Sequence, residues 1–205
     1  MATSNAANDG IVVFGEGYTE YFFYKRCINY MYDVSPKKPP VKEIRNVEGF
    51  GNFIHYPQNY LKGFILPKNK GINFHVFLCY DTDVFDFKMQ PNIDWNRVKK
   101  EIKTSRITHV AQIEQKYSIE DWIIRDIKGV LNYLGLPANT PIPTGRGIDI
   151  LKNLYNKAHR LYIHGEQRES QKLINALDFK IIIVSLWNEL SPFLSFFGIT
   201  DKSIF

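Results

Sequence analysis

The chain has 205 residues, of which 44% are hydrophobic, 23% charged and 15% aromatic, and its formal net charge is +5. That length can bury one sizeable core, and the composition excludes a low-complexity or fibrous chain. The positive balance permits a polyanionic partner without requiring one, while two cysteines, Cys27 and Cys79, both inside apolar stretches, exclude a disulfide framework and fit a reducing interior.

Residues 1–9 carry neither the basic nor the apolar region of a signal peptide and read as a disordered lead-in. Residues 11–14 are continuously apolar, as in a strand buried on both faces. After the turn GEGY, Thr19 can cap a helix whose Phe23, Cys27, Ile28 and Met31 share a face. The proline-rich 35–40 is a loop, 41–47 a second strand, and Gly49 to Asn52 a turn whose G-x-G is too short for a dinucleotide fingerprint. A helix is expected over 53–61, although Pro57 lies inside it. A third strand, 74–80, carries Asp81-Thr82-Asp83 at its tip.

After a loop containing Pro91, Trp95, Val98 and Ile102 recur at helical spacing, and Lys99, Lys100 and Lys103 read as a solvated face more than a phosphate site. Residues 107–113 form a fourth strand ending near a solvent-facing Glu114. Ser118 then caps a helix with Asp121 three residues on, Ile119, Ile123, Ile127, Val130 and Leu134 form its buried stripe, and Gly135 and Pro137 stop it. Strands alternating with helices predict an α/β fold: a mainly parallel four-stranded sheet with helices on both faces over 10–135. Past a Pro/Gly/Thr loop, helices are expected over 148–162, 167–177 and 180–197. They make 136–205 a helical extension that either caps one sheet edge or forms a separate face. Asn188, Glu189 and Pro192 interrupt the apolar 181–199, which argues against a membrane span and for a cytoplasmic protein.

The chemistry lies at two strand ends. In open α/β sheets ligands bind at the carboxyl ends of strands, which is where Glu16, Glu20, Asp81 and Asp83 fall. Four carboxylates in one crevice repel unless they are protonated or bound to cations. A divalent metal resolves this, because Mg²⁺ takes oxygen ligands, commonly one or two carboxylates together with substrate phosphates. Such sites serve phosphodiester hydrolysis or transfer, and in two-metal sites the ions stand about 3.5 to 4 Å apart. The plainer readings are an Asx turn at Asp81-Thr82-Asp83 and a helix-dipole contact at Glu20. His55, His75, His109, His159 and His164 lack metal-ligand spacing. His159 and His164, with Arg160 and Arg168, read as a solvated edge before a nucleic-acid border.

VVFGEGYTE resembles the first motif of TOPRIM domains, and FLCYDTD their D-x-D motif. RNVEGFGNF is similar to the second strand and turn of OLD-like members, and Ser118-Ile119-Glu120-Asp121-Trp122 to the acidic helix start of OLD-like and RloB-like nucleases. The resemblance covers roughly residues 10–134 and implies a TOPRIM-like fold. It also implies Mg²⁺ or Mn²⁺ on Asp81 and Asp83, with Glu16 as ligand or general acid/base and Glu20 and Glu120 as candidates for a second metal. A basic residue near the scissile phosphate is part of the likeness, for which Arg146, Lys152 and Arg160 are the candidates. The expected activity is that of a metal-dependent nuclease on DNA or RNA, the effector of an anti-phage or mobile-element system by analogy. The alternative is a nucleic-acid- or nucleotide-binding subunit of an ATPase; with no ATPase domain here, such a motor would be a partner chain. Oligomeric state stays open.

Overall fold

The structure is a computed structural model, and it describes residues 8–83 and 92–205. The expected lead-in and the loop around Pro91 fall largely outside the described residues. Four parallel strands form one sheet: β1 (Asp9–Gly15), β2 (Lys42–Asn46), β3 (Asn73–Asp81) and β4 (Ile107–Gln115), in the order β2-β1-β3-β4. β1 and β3 are central and lie in register from Asp9↔Asn73 to Gly15↔Cys79. The chain moves outward from β1 to β2 and then returns across β1 to β3. The strand order therefore reverses at β1 and β3, which opens a crevice at their carboxyl ends.

Side-chain alternation along the strands divides the core in two. Ile11, Val13, Phe77 and Cys79 face α1 (Tyr18–Val34) and the later helices, whereas Val12, Phe14, Val76, Leu78 and Tyr80 face the segment after β2. That segment is longer than the sequence suggests. A 3₁₀ turn (Phe50–Ile54) leads into α2 (Tyr56–Tyr60), which continues through a π turn (Leu61–Ile65) into α3 (Leu66–Lys68). Pro57 does not interrupt it, because it sits in the first turn, where its missing N–H costs nothing. α4 (Trp95–Ile102) covers the same face with Val98 and Ile102.

Other boundaries also move. Thr19 is no cap. Gly17 holds that position, its N–H donating to Glu20 Oε2 at 2.9 Å, and Thr19 Oγ1 instead meets Ser170 Oγ at 3.0 Å. The helix expected from Ser118 to Leu134 breaks into α5 (Ile119–Ile123), a 3₁₀ turn and α6 (Ile127–Leu134). The cause is Asp126, whose Oδ1 caps Gly129 while its Oδ2 accepts from the Asp178 N–H. α7 (Gly147–Lys157) stops well short of residue 162. α8 (Gln167–Asn175) follows, and the last expected helix is two, α9 (Phe179–Ser185) and α10 (Ser191–Phe197), with Pro192 starting the second.

The C-terminal helices share one core with α1 and the sheet face behind it. Phe193 lies against Phe77 with ring centroids 4.4 Å apart, and Ser35 Oγ donates to the Phe197 carbonyl at 2.6 Å. Phe193→Ala empties a fully buried position. Urea denaturation should show a loss of about 3 to 5 kcal/mol, the cost of an aromatic cavity. Among the described residues no helix is long and apolar enough to cross a membrane.

Candidate active site

Three carboxylates line the switch-point crevice, and a fourth, Glu120, is fully buried against His164 on its wall. Glu16 follows β1, Glu20 stands in the first turn of α1, Asp81 ends β3, and Glu120 opens α5. The crevice is a cleft of about 560 Å³ lined by Glu16, Glu20, Asp81 and His164, with Asn46 and Gly49 on the facing rim. The rim turn is fixed by Asn46 Oδ1 accepting from Glu48 N at 2.7 Å and by Gly49 N donating to the Glu16 carbonyl at 2.9 Å; Gly49 has φ +117°, where a side chain would be strained.

Residues 81–83 run beside the end of β4, with Thr82 N donating to Gln115 O and Asp83 N to Tyr117 O. Asp81 is 5% exposed, Glu20 3% and Glu120 0%. Burial, then the nearby Glu20, pushes the Glu16 carboxyl up to about 7, and Asp83 adds to the rise. Burial and Glu120 push Glu20 up to about 7 as well. Asp81 is driven well above the usual carboxylate range by burial and by Glu20, Glu120, Glu16 and Asp83 around it.

Glu120 is the exception. Burial alone would raise it, but hydrogen bonds outweigh burial and leave it lowered. Tyr162 OH donates to its Oε1 at 2.7 Å, and His164 Nδ1 lies 2.6 Å from the same oxygen. The imidazole is pushed up to about 9, first by that hydrogen bond, so His164 is cationic at neutral pH. Residues 160–163 lie outside any helix or strand; Tyr162 is buried there between the exposed Leu161 and Ile163, and His164 follows in a turn with its side chain half exposed to the cleft.

Among the described residues, Glu16 Oε2, Asp81 Oδ1 and Glu120 Oε2 are buried without a hydrogen-bond partner. Buried oxygens in that state need a proton or a cation. The donor set is all oxygen, the chemistry Mg²⁺ and Mn²⁺ prefer. As the side chains stand, no three His, Cys, Asp or Glu among the described residues form a set that could hold a metal ion.

The basic residues suggested by sequence lie elsewhere. Arg160 pairs with Glu169 and Tyr133, Lys152 is on the exposed side of α7, and Arg146 precedes α7 with its guanidinium over the Tyr117 ring, 4.9 Å from the centroid. None of the three lines the cleft. His164 occupies the cationic place instead. No local pattern in the sequence marks it, because its partner Glu120 lies 44 residues away.

Fold and cleft together define an α/β protein with an acidic cleft at the switch point of a parallel sheet. No protein-family model matches the chain, and no curated protein matches it in sequence. Among solved structures it is similar to the C-terminal region of the OLD protein of Xanthomonas campestris pv. campestris, at 15% identity and a TM-score of 0.34, over 90% of this chain and 95% of that one. A likeness at that level carries no functional argument, and only the chemistry of the cleft can supply one.

Proposed function

We propose that this chain is a metal-dependent nuclease that hydrolyses phosphodiester bonds in DNA or RNA. The observation that supports it is the pair of buried, unpartnered oxygens that Glu16 and Asp81 bring from separate elements to one cleft, with a third on Glu120, whose other oxygen holds the cleft-lining His164. Glu16, Glu20, Asp81, Asp83 and Glu120 are the residues that would hold Mg²⁺ or Mn²⁺, after side-chain rotation closes the set. Bound there, the ion would supply a water of lowered pKa and charge neutralisation on the phosphate. The chain's own groups do the rest. In the metal-free chain Glu16 is pushed up to about 7 beside the open cleft; left outside the ion's ligand set, it can take a proton from water at neutral pH. Glu120 and Tyr162 hold the His164 imidazolium toward the space a phosphate would fill.

An effector role in an anti-phage or mobile-element system, with an ATPase partner subunit, rests on the sequence resemblance alone. The test is incubation of the purified chain with labelled DNA and RNA in Mg²⁺, Mn²⁺ or EDTA, alongside calorimetric titration of each ion. Ion binding with ion-dependent cleavage supports the reading. Nucleic-acid binding without cleavage in either metal points to the binding-subunit alternative, and neither binding nor cleavage removes both.

His164→Ala should lower kcat by about 10²-fold, the usual loss when one charge-stabilising donor is removed. His164→Lys should keep more activity than His164→Ala. Equal losses in the two variants would show that the positive charge is not what matters.

A further inference from the structure

The helical segment over β2 carries a row of rings that begins against the core and ends in solvent. Tyr56, Tyr60 and Phe64 recur every four residues from α2 into the π turn. The first two are stacked at 5.9 Å and 5°, the second pair at 5.3 Å and 24°. Tyr56 and Tyr60 meet the buried Phe14 edge-on at 6.3 and 6.2 Å, which anchors the inner end of the row. Phe64, at the outer end, is 53% exposed. Pro57, Leu61, Ile65 and Leu66 are the buried residues that fasten the segment alongside Tyr56 and Tyr60, and Phe64 takes no part in that packing.

Cations accompany the rings. The Arg45 guanidinium is 4.7 Å from the Tyr60 centroid, and the Lys68 ammonium 5.8 Å from that of Phe64. Glu43 pairs with Arg45 at 2.6 Å and accepts from Tyr60 OH at 3.2 Å, which fixes the ring between strand and helix. Arg45 directly precedes Asn46 on the cleft rim. The middle of the row is therefore held by the residue next to the cleft rim, and its outer end at Phe64 is exposed.

We infer that this row is a docking track for single-stranded nucleic acid passing to or from the cleft, an inference that rests on the nuclease reading. Bases stack on exposed rings without regard to sequence, each worth roughly 1 to 3 kcal/mol, while flanking cations take the phosphates. A duplex keeps its base faces stacked internally and cannot offer them to Phe64. A second copy of this chain is disfavoured as occupant, because Lys62, Lys68 and Lys70 are exposed around Phe64 and a two-fold contact would set those lysines against themselves.

The experiment is fluorescence anisotropy on the full chain, in EDTA so that the strand stays whole, with a labelled oligothymidylate and a duplex of equal length. Phe64→Ala should weaken oligothymidylate binding about tenfold, the low end of one lost base stack. Phe64→Trp should retain it, duplex affinity should not change, and the melting temperature of both variants should match the parent. If the parent binds the single strand and Phe64→Ala binds it equally well, or loses the duplex to the same extent, the track is wrong while the nuclease reading stands. If the parent cleaves and binds nothing but duplex, the track is likewise wrong. Failure of the parent to bind or cleave any nucleic acid removes the nuclease reading and the track with it.

Discussion

Asp81→Asn should abolish cleavage and at the same time stabilise the metal-free protein above pH 7. Both effects come from the same buried charge. Asp81 lies in a cleft with Glu16 and Glu20, and burial and mutual repulsion hold all three carboxyls above their ordinary range. An acid whose pKa is raised by folding contributes stability that is complete below its unfolded value, near 4.5 for the two glutamates, and is lost as pH rises through the folded value, about 7. His164 acts in the same direction over a higher window, because its raised pKa stabilises the fold below 6.5 and the gain is lost as pH passes about 9. Glu120, lowered by its partners, works the other way and costs stability on acidification. Thermal melts in EDTA should therefore peak in mild acid, near the ordinary glutamate pKa, and decline toward pH 9. Asparagine cannot ionise, so Asp81→Asn should flatten that decline by about 1 to 3 kcal/mol, the scale of one poorly compensated buried polar group. Saturating Mg²⁺ should flatten it for the parent and not for the variant. Cleavage should fall by at least ~10³-fold, since the variant removes a charge on which the chemistry depends. An Asn variant that melts lower than the parent at pH 8 would show that Asp81 is a satisfied structural carboxylate.

Much of this was written locally in the chain. The apolar runs that become β1 and β3 end where Glu16 and Asp81 begin, so the acids had to emerge at a sheet edge once the strands were parallel. Alternating strands and helices predicted the sheet that is found, with helices on both faces. What was not legible depends on contacts made across the fold. Asp126 sits in a helical pattern, and nothing nearby reveals that its carboxylate must serve both Gly129 and Asp178. His164 reaches Glu120 from 44 residues away. The stretch before it has helical composition, yet the chain leaves α7 with His159 at φ +53° and continues outside any helix, where Tyr162 can satisfy a buried carboxylate. Leaving that carboxylate unpaired would cost more than the few tenths of a kcal/mol per residue that separate ordinary helix propensities. Tertiary satisfaction of Glu120 overrides local preference there.

The same logic makes Gly147→Ala a severe change at a position with no chemistry of its own. Gly147 begins α7, and its N–H donates to Asp121 Oδ1 at 2.9 Å, which binds the start of α7 to α5. A Cβ there would lie 2.3 Å from Asp121 N and 2.4 Å from the Glu120 carbonyl carbon, distances at which backbone must move. Alanine brings a helix-propensity gain of at most about 1 kcal/mol. Overpacking against backbone costs roughly 1 to 3 kcal/mol or more, so the clash prevails and the melting temperature should drop. The displacement falls on Glu120, fully buried and shared by Tyr162 and His164, and a shift of about 1 Å in such a group can cost on the order of 10²-fold in rate. Gly147→Ala should therefore lose activity at temperatures where circular dichroism still reports a folded chain, and its kcat should fall more than its KM rises. Asp121→Asn, which keeps an acceptor for the Gly147 N–H and adds no Cβ, should do neither. If Gly147→Ala retained parental kcat, the position of Glu120 would not matter to the chemistry, and it would have to be removed from the proposed ligand set.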